Sequence, residues 1–468
     1  MSAQSQPQAK PTIPQLLPVF QDLLQAQVIR ELIQAAGKRF YERLFTPLVM
    51  TWCFIFQRLN SDHTCDAVVS HVGSGAVDHL DDRHVEPLSQ RVKSESTAAY
   101  CKGRKRLPLS VLQGALRHTA SVIRQWLGDD GLWLGHPVGL MDGTTFLLRP
   151  EPELVEHYGR HKNQHGETYW VVMRAVAAFC LCCGATLGVT EDSLHTSEQE
   201  LAALLLAQAI RDSVYVGDRN FGVFSVAQAA RHYAVWVVLR MTRRRAPALA
   251  KRKMRSGEDI RVEWEPSIHD QLNPDMSSKP ITGRLIYVRL ERNGFRPVEL
   301  YLFTTLLDGE KYTVEELVKL YDLRWHAELN LRYIKDTLNM DLLTSKSVDM
   351  VRKELYAGLL AYNTIRGYMT QAARQANLSP LTLSFTSCWR RVRDTLLTWR
   401  PTNSAQHAVR IVQRLLARLA RCKLPKRPRF RIEPRAVRRR PAVYPNLKGS
   451  RANARQHLVE LLKEPVKC

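Results

Sequence analysis

Three things are scarce in this 468-residue chain, and each absence removes a class of protein. Acid is the first. Only 45 Asp and Glu stand against 68 Lys and Arg, leaving a formal net charge of +23. A balance that basic points to a polyanionic partner, and nucleic acid is the first candidate. A cysteine framework is the second. The nine cysteines are odd in number and irregularly placed, so no disulfide scaffold is indicated and a reducing cytoplasm is expected. The one C-x-x-C spacing, Cys180 to Cys183 with Cys182 inside it, lies in an apolar strand-like run. On a strand Cys180 and Cys182 face one side and Cys183 the other, which reads as core packing rather than a zinc or redox site. An unbroken apolar run is the third. The best stretch, Val171 to Val189, contains Arg174 and two glycines, a poor membrane span and a good pair of buried strands. Met1 to Pro11 is polar, so no signal peptide is expected.

What remains is ample. With 45% hydrophobic residues over this length the chain can bury large cores and hold several domains. From Ile13 to Trp126 the pattern is helical: Leu16, Leu17, Phe20, Leu23 and Leu24 repeat at helical spacing, as do Leu112, Leu116, Ile123 and Trp126. Pro108 before Ser110 marks a helix entry. Between these helices lies a basic stretch, Ser96 to Pro108. From His136 to Arg240 the pattern changes to a mixed α/β one. Strands are expected at Val138–Met141, Thr145–Leu148, Tyr169–Cys183, Ala185–Thr190, up to Asp218, and at Val235–Leu239. Helices are expected at Ser197–Arg211 and Phe224–Tyr233.

The segment Thr313 to Met340 holds neither Pro nor Gly, and Leu, Glu, Lys and Arg dominate it, so it reads as one helix. At about 100° per residue, Tyr321, Arg324, Glu328, Arg332 and Lys335 fall within an arc of roughly 80°. One acid is thus surrounded on its own face by two arginines, a lysine and a phenol. That set suits a carboxylate holding a metal beside a phosphodiester, with cations and a hydroxyl gripping phosphates. A solvated face laced with ion pairs is the bland alternative. Two upstream aspartates stand where strands are expected to end. Asp142 follows Val138-Gly139-Leu140-Met141 and precedes Gly143, as in a strand–turn–strand. Asp218 follows Val214-Tyr215-Val216-Gly217. The gap from Asp218 to Glu328 is far longer than one strand and one helix require, so something is inserted there.

The spacing Tyr321-x2-Arg324-x3-Glu328-x6-Lys335 resembles the Y-R-E-K signature of insertion-sequence transposases of the DDE type. Asp142-Gly143-Thr144-Thr145 and Asp218-Arg219-Asn220-Phe221 match the same family's patterns around its two aspartates. The resemblance covers roughly Gln113 to Thr370. It implies an α/β ribonuclease H-like catalytic core with an inserted all-β subdomain, flanked by a helical N-terminal region and a basic helical and extended C-terminal region. Asp142, Asp218 and Glu328 would be catalytic and would ligate Mg2+ or Mn2+, two ions per site about 4 Å apart. Tyr321, Arg324, Lys335, Arg332, Arg219 and Lys346 would contact DNA. The chemistry implied is cut-and-paste transposition through a hairpin on the element's end. Double-stranded DNA, both the element's inverted repeats and the target, would be the partner of a homodimer in a bacterial cytoplasm, on the nucleoid when bound.

Domains follow from the same reading: 1–135 helical and DNA-binding, 136–240 the first part of the core, 241–305 the β insertion, 306–375 the rest of the core, and 376–468 helical and basic. Within the insertion Ile260–Trp264, Arg284–Leu290 and Val298–Thr304 alternate like strands, and Glu291-Arg292-Asn293-Gly294 reads as a hairpin turn. Family members stack an aromatic from this region on a flipped base. Trp264, Tyr287 and Tyr301 compete for that role here, against ordinary cross-strand packing. A helix over Val351–Thr370 packs back on the core through Leu355, Leu359 and Tyr362, and a further helix is read at Ala408–Leu419. Then Arg421, Lys423, Lys426, Arg427, Arg429, Arg431, Arg435, Arg438, Arg439 and Arg440 are relieved only by Glu433. Such an arm suits non-specific phosphate contact with steep salt dependence; a solubilising tail or a dimerisation segment are its alternatives. Two other functions stay open beside transposition: a nuclease without strand transfer, and a DNA-binding relic.

Overall fold

The protein is described from a computed structural model at residues 18–425 and 449–461, apart from 39, 41–43, 82–83, 85, 164–165, 272–278, 292–297 and 399–404. The expected hairpin turn at Asn293-Gly294 and the basic arm from Lys426 to Arg440 lie outside these residues, as do Leu16 and Leu17. The chain divides into two units. One joins Met1–Glu291 with Pro297–Pro425, and the other joins Arg292–Arg296 with Lys426–Cys468. Of the second, the helix Arg451–Leu461 is described.

The centre of the first unit is a mixed sheet. The strands are β1 (Val138–Leu148), β2 (Arg160–Asn163), β3 (Gly166–Cys180), β4 (Thr186–Ser193), β5 (Val214–Gly217), β6 (Trp236–Met241), β7 (Asp259–Trp264), β8 (Ile281–Leu290), β9 (Val298–Thr304) and β10 (Leu342–Leu343). The path runs β2-β3-β1-β5-β6-β9-β8-β7, with β4 also on β3 and β10 also on β1. β1 lies parallel to β5 and antiparallel to β3, and β5 lies parallel to β6. The run Val214-Tyr215-Val216-Gly217 is wholly buried, as a short continuous apolar strand between two neighbours should be.

Two local expectations fail here, for identifiable reasons. Asp142-Gly143 is no turn: β1 runs unbroken from Val138 to Leu148. Asp142 pairs with Ala177 and Gly143 with Val176, so the long antiparallel partner β3 carries β1 through the Asp-Gly step. A Cβ on Gly143 would lie 2.5 Å from the Glu198 carboxylate, so the glycine there admits a neighbour rather than a turn. The expected insertion is not a separate sheet either. β7, β8 and β9 extend the central one through the antiparallel pair β6–β9, and the short helices Arg245–Ala250 and Ile268–Gln271 stand among them.

Helices cover the sheet. The 28-residue helix Val348–Gln375 is buried almost all round, Leu355, Leu359 and Tyr362 included, which marks it as a core element. Leu109–Gln125 and the entirely buried Pro47–Leu59 pack against it. The basic stretch before Pro108 is a helix, Ala98–Arg106. Its Tyr100 is fully buried and donates to Gln57 Oε1 at 3.0 Å, while the Arg104 and Lys105 carbonyls accept from Lys353 Nζ. Buried contacts on both faces hold it in place. Among the described residues, no helix is long and apolar enough to cross a membrane.

Candidate active site

The register of β1 against β5 sets the first two acids side by side. Leu140 lies opposite Val216 in the parallel pair, so Asp142 and Asp218 occupy equivalent positions two residues on. β5 covers the edge of β1 only to Leu140, and β10 takes it up again at Leu147. Between them the edge is free of strand neighbours, and the helix Trp325–Arg332 packs against β1 there. Glu328 lies in its first turn.

The signature segment is not one helix. Val314–Asp322 ends, Leu323 and Arg324 form a tight turn, Trp325–Arg332 follows, and Tyr333–Thr337 is a π-helical turn. Arg324 N donates to Tyr321 O and Ala327 N to Arg324 O, both bonds that skip three residues. Such a turn over-rotates the chain, whereas the wider π turn under-rotates it. Tyr321, Arg324 and Glu328 therefore share a face without the continuous helix that the composition suggests.

Arg324 is the electrostatic centre. Its Nη2 lies 2.5 Å from Glu328 Oε1 and its Nη1 3.9 Å from Asp142 Oδ1. The Asp142 carboxyl is raised to about 7 in all: burial raises it most, Arg324 opposes the rise, and the charges of Glu328 and Asp218 add to it. Two other acids thus act on Asp142. Tyr321 is also raised, chiefly by burial, while its hydrogen bond from Arg240 and the charge of Arg324 oppose the rise and Asp218 adds to it. Asp218 Oδ1 accepts from Asn220 N at 2.8 Å. Asp142, Thr144, Glu328, Arg332, Lys335 and Asp336 line a cleft of about 520 Å³.

The other expected residues are more dispersed. Lys335 lies in that cleft with its Nζ 2.8 Å from Asp341 Oδ1. Arg219 lines a second cleft of about 410 Å³ with Arg240, Arg243 and Tyr301. Lys346 is 74% exposed and reaches Glu151 at 3.8 Å, outside both clefts. Of the three aromatics, Tyr287 and Tyr301 stack on each other across β8 and β9 at 4.3 Å. Trp264 instead meets Phe224 and Phe303 edge-on and lines a pocket of about 450 Å³ with Arg245 and Lys251.

Three residues escaped the sequence reading. Glu198 crowds Gly143 and accepts from Asn220 Nδ2 at 2.5 Å, which ties the Asp218 turn to β1. Arg240 comes from β6 toward Tyr321. Asn220 joins the Asp218 turn to Glu198 and to Gln199. The capping box of Ser197 and Glu200 was the available signal for a helix opening at Glu198.

The Asp142 carboxyl, raised by the charges of two neighbouring acids, marks a site short of positive charge. Hard carboxylate oxygens suit a hard divalent cation, and Arg324 supplies only part of the charge they call for. The donor set therefore fits such an ion.

Comparison with known proteins gives four findings. A family described as "Transposase DDE domain" matches residues 133–364. Transposase InsG for insertion sequence element IS4, from Escherichia coli (strain K12), is 24% identical over 433 residues, which span 91% of this chain and 92% of that protein. A probable transposase for insertion sequence element IS5377, from Geobacillus stearothermophilus, is 33% identical over 79 residues, 17% of this chain and 20% of that one. Among solved structures, a piggyBac transposase synaptic complex with hairpin DNA aligns over 86% of each chain, at 10% identity and a TM-score of 0.39. A likeness that slight carries no argument.

Proposed function

The chain belongs to the DDE transposases of insertion sequences, and on that premise we propose that Asp142, Asp218 and Glu328 are the acids with which it cuts and rejoins DNA. One observation carries the assignment: Arg324 lies 2.5 Å from Glu328 and 3.9 Å from Asp142, and the register of β1 on β5 sets Asp218 at the position beside Asp142. The order β4-β3-β1-β5-β6, with β3 antiparallel to β1, supports reading this part of the sheet as a ribonuclease H-like core. In that reading β7 to β9 are the insertion, 1–135 is the N-terminal DNA-binding region, and 376–468 carries the basic arm.

Asp142, Asp218 and Glu328 would hold Mg2+ or Mn2+, two ions per site. Ions bound there supply activation of water or of a DNA 3′-hydroxyl and neutralise the leaving 3′-oxygen. The protein's own groups do the rest. Arg324 lies 2.5 Å from Glu328 and 3.9 Å from Asp142, so its guanidinium would compete with a cation for the same carboxylates. A phosphate of the DNA end offers Arg324 another acceptor, with bidentate geometry to match. Lys335 and Arg332 face the same cleft as point charges for the backbone. Tyr321, held by Arg240, orients a hydroxyl toward the phosphate beside Asp218. Arg219 opens on the neighbouring basic cleft, and Lys346 is a peripheral backbone contact. Trp264 and Tyr301 each line a cleft, but Tyr301 is already stacked on Tyr287, which makes Trp264 the candidate for stacking on an unpaired base. The partner is double-stranded DNA, inverted repeats and target alike, with a homodimer joining the two ends.

The direct experiment incubates the protein with end-bearing DNA and a target in Mg2+. Joined products carried through 3′-hydroxyl ends support transposition. Cleavage without joining would leave a nuclease.

The Arg324 and Lys335 roles have their own test. Arg324→Ala or Lys335→Ala is expected to weaken binding of a cleaved or hairpin end by about tenfold, the loss of roughly one charge-assisted contact. Binding to uncut flanking duplex should change little. Equal losses on both substrates would reduce these residues to general electrostatics.

A further inference from the structure

The β3–β4 connection does something a strand cannot. β3 stops at Cys180, and Leu181 to Gly184 form a tight turn before β4. Gly184 N donates to Cys180 O at 2.8 Å, Cys180 N donates to Ala185 O at 2.8 Å, and Gly184 takes a φ of +71°. That left-handed residue folds the turn back, so the alternation expected of an extended chain does not apply. The sulfurs of Cys180, Cys182 and Cys183 converge, all within 4.8 Å of one another. Cys180 Sγ and Cys182 Sγ are 3.1 Å apart. Among the described residues this is the one triplet of potential metal donors drawn so close.

We propose that Cys180, Cys182 and Cys183 form a thiolate site for a soft d10 cation of the zinc class. Thiolates bind such an ion at about 2.3 Å, which places sulfurs about 3.8–4.0 Å apart around it. Cys180 Sγ and Cys182 Sγ are closer than that and all three sulfurs lie within 4.8 Å of one another, so they are within reach of one ion. Packing alone does not call for three adjacent thiols turned onto one point, and a disulfide would use two and strand the third. Cys180 and Cys183 are buried, whereas Cys182 is partly exposed and leaves an approach from solvent for the ion and a fourth ligand. Each thiol that ligates gives its proton to solvent. The site differs in kind from the carboxylate centre, whose hard oxygens prefer Mg2+. It is also apart from it: Cys180 pairs with Gly139 and Asp142 with Ala177, three residues along β1, or roughly 10 Å. A bound ion would tie the β3–β4 turn and so hold β3 in register beneath β1.

The test titrates the full-length, freshly reduced protein with Cd2+ in excess Mg2+, which occupies the acids. Expected are a sulfur-to-cadmium charge-transfer band saturating at one equivalent and a higher Tm with equimolar Zn2+. Alkylation of Cys182 should slow by about tenfold in the wild-type protein when Cd2+ is present, a readout that needs no variant. Cys182→Ser should lose band and Tm shift. Cys65→Ser should keep both, which controls for the Cys65–Cys101 pair, whose sulfurs are 3.8 Å apart. The absence of a saturating band, its survival in Cys182→Ser, its loss in Cys65→Ser, or recovery of a Cys180–Cys182 disulfide without metal uptake would each overturn the proposal.

Discussion

Alanine at position 142, 218 or 328 is expected to abolish strand cleavage while leaving binding to end DNA within a few-fold of the parent. In the proposed assignment each acid holds cations and none reads bases. A variant cleaving within about tenfold of the parent in Mg2+, a loss of only ~1.4 kcal/mol, would take its residue out of the triad. Asp142→Asn separates chemistry from folding. The Asp142 carboxyl is raised from its ordinary value to about 7, by burial first and by Glu328 and Asp218 after it. A carboxyl whose folded pKa lies above its unfolded one destabilises the fold once pH exceeds the unfolded value, and the full penalty is present above about 7. Below the unfolded value, near 4, the penalty is gone. Asp142→Asn should therefore lose cleavage and gain Tm at pH 8, with the gain shrinking as pH falls toward 4. Divalent cations should raise the parent's Tm at pH 8 and leave that of Asp142→Asn nearly unchanged. An inactive variant that is also less stable at pH 8 would contradict this account.

That trade of stability for charge explains which parts of the site were legible in the chain. Asp218 ends a buried β-branched run, and the strand-end pattern marked it. Asp142 was found by the same pattern for a wrong local reason: Asp-Gly signals a turn when the flanking residues are free, and here β3 pairs on through it. No short window contains that partner. The break at Leu323-Arg324 and the π turn at Tyr333–Thr337 were illegible because no Gly or Pro marks them. Tertiary contacts set them: Ala327, Leu331 and Ile334 are buried, and Arg324 is held by the acids it bridges. Glu198, Arg240 and Asn220 are ordinary surface-type residues in sequence. Only the sheet order brings them to Asp218 and Tyr321. The convergence of Cys180, Cys182 and Cys183 is illegible in the sequence because β3 stops at Cys180 and Gly184 turns the chain back.

The largest effect on stability is expected far from the chemistry, at Glu354. Its carboxylate lies in the middle of the core, where a lone charge would be untenable. Arg58 Nη1 donates to its Oε1 at 3.0 Å, with side-chain exposures of 7% and 2%, and the Thr344 and Ser345 amides donate to the same carboxylate. One group thus ties the N-terminal helix Pro47–Leu59 to the Val348–Gln375 helix and to the segment leaving β10. Burial alone would raise the Glu354 carboxyl, but Arg58 and the Ser345 and Thr344 donors outweigh it, and the net shift is downward. Glu354→Ala leaves Arg58 buried without its partner and two amides without an acceptor, and should cost about 3–5 kcal/mol in urea unfolding. Arg58→Met leaves the acid stranded and should cost a similar amount. The double variant Arg58→Met with Glu354→Leu should recover much of it, because most of the loss in either single variant is an orphaned charge. The sign with pH follows from the depressed value. Glu354 contributes its stability above the unfolded carboxylate pKa, near 4.3, and loses it as pH falls through the lower folded value. The gap between parent and Glu354→Ala should hence be widest at neutral pH and close in acid. A loss under about 1 kcal/mol at pH 7, in the range of an exposed pair, would mean that the carboxylate is solvated and that this link does not hold the helices together.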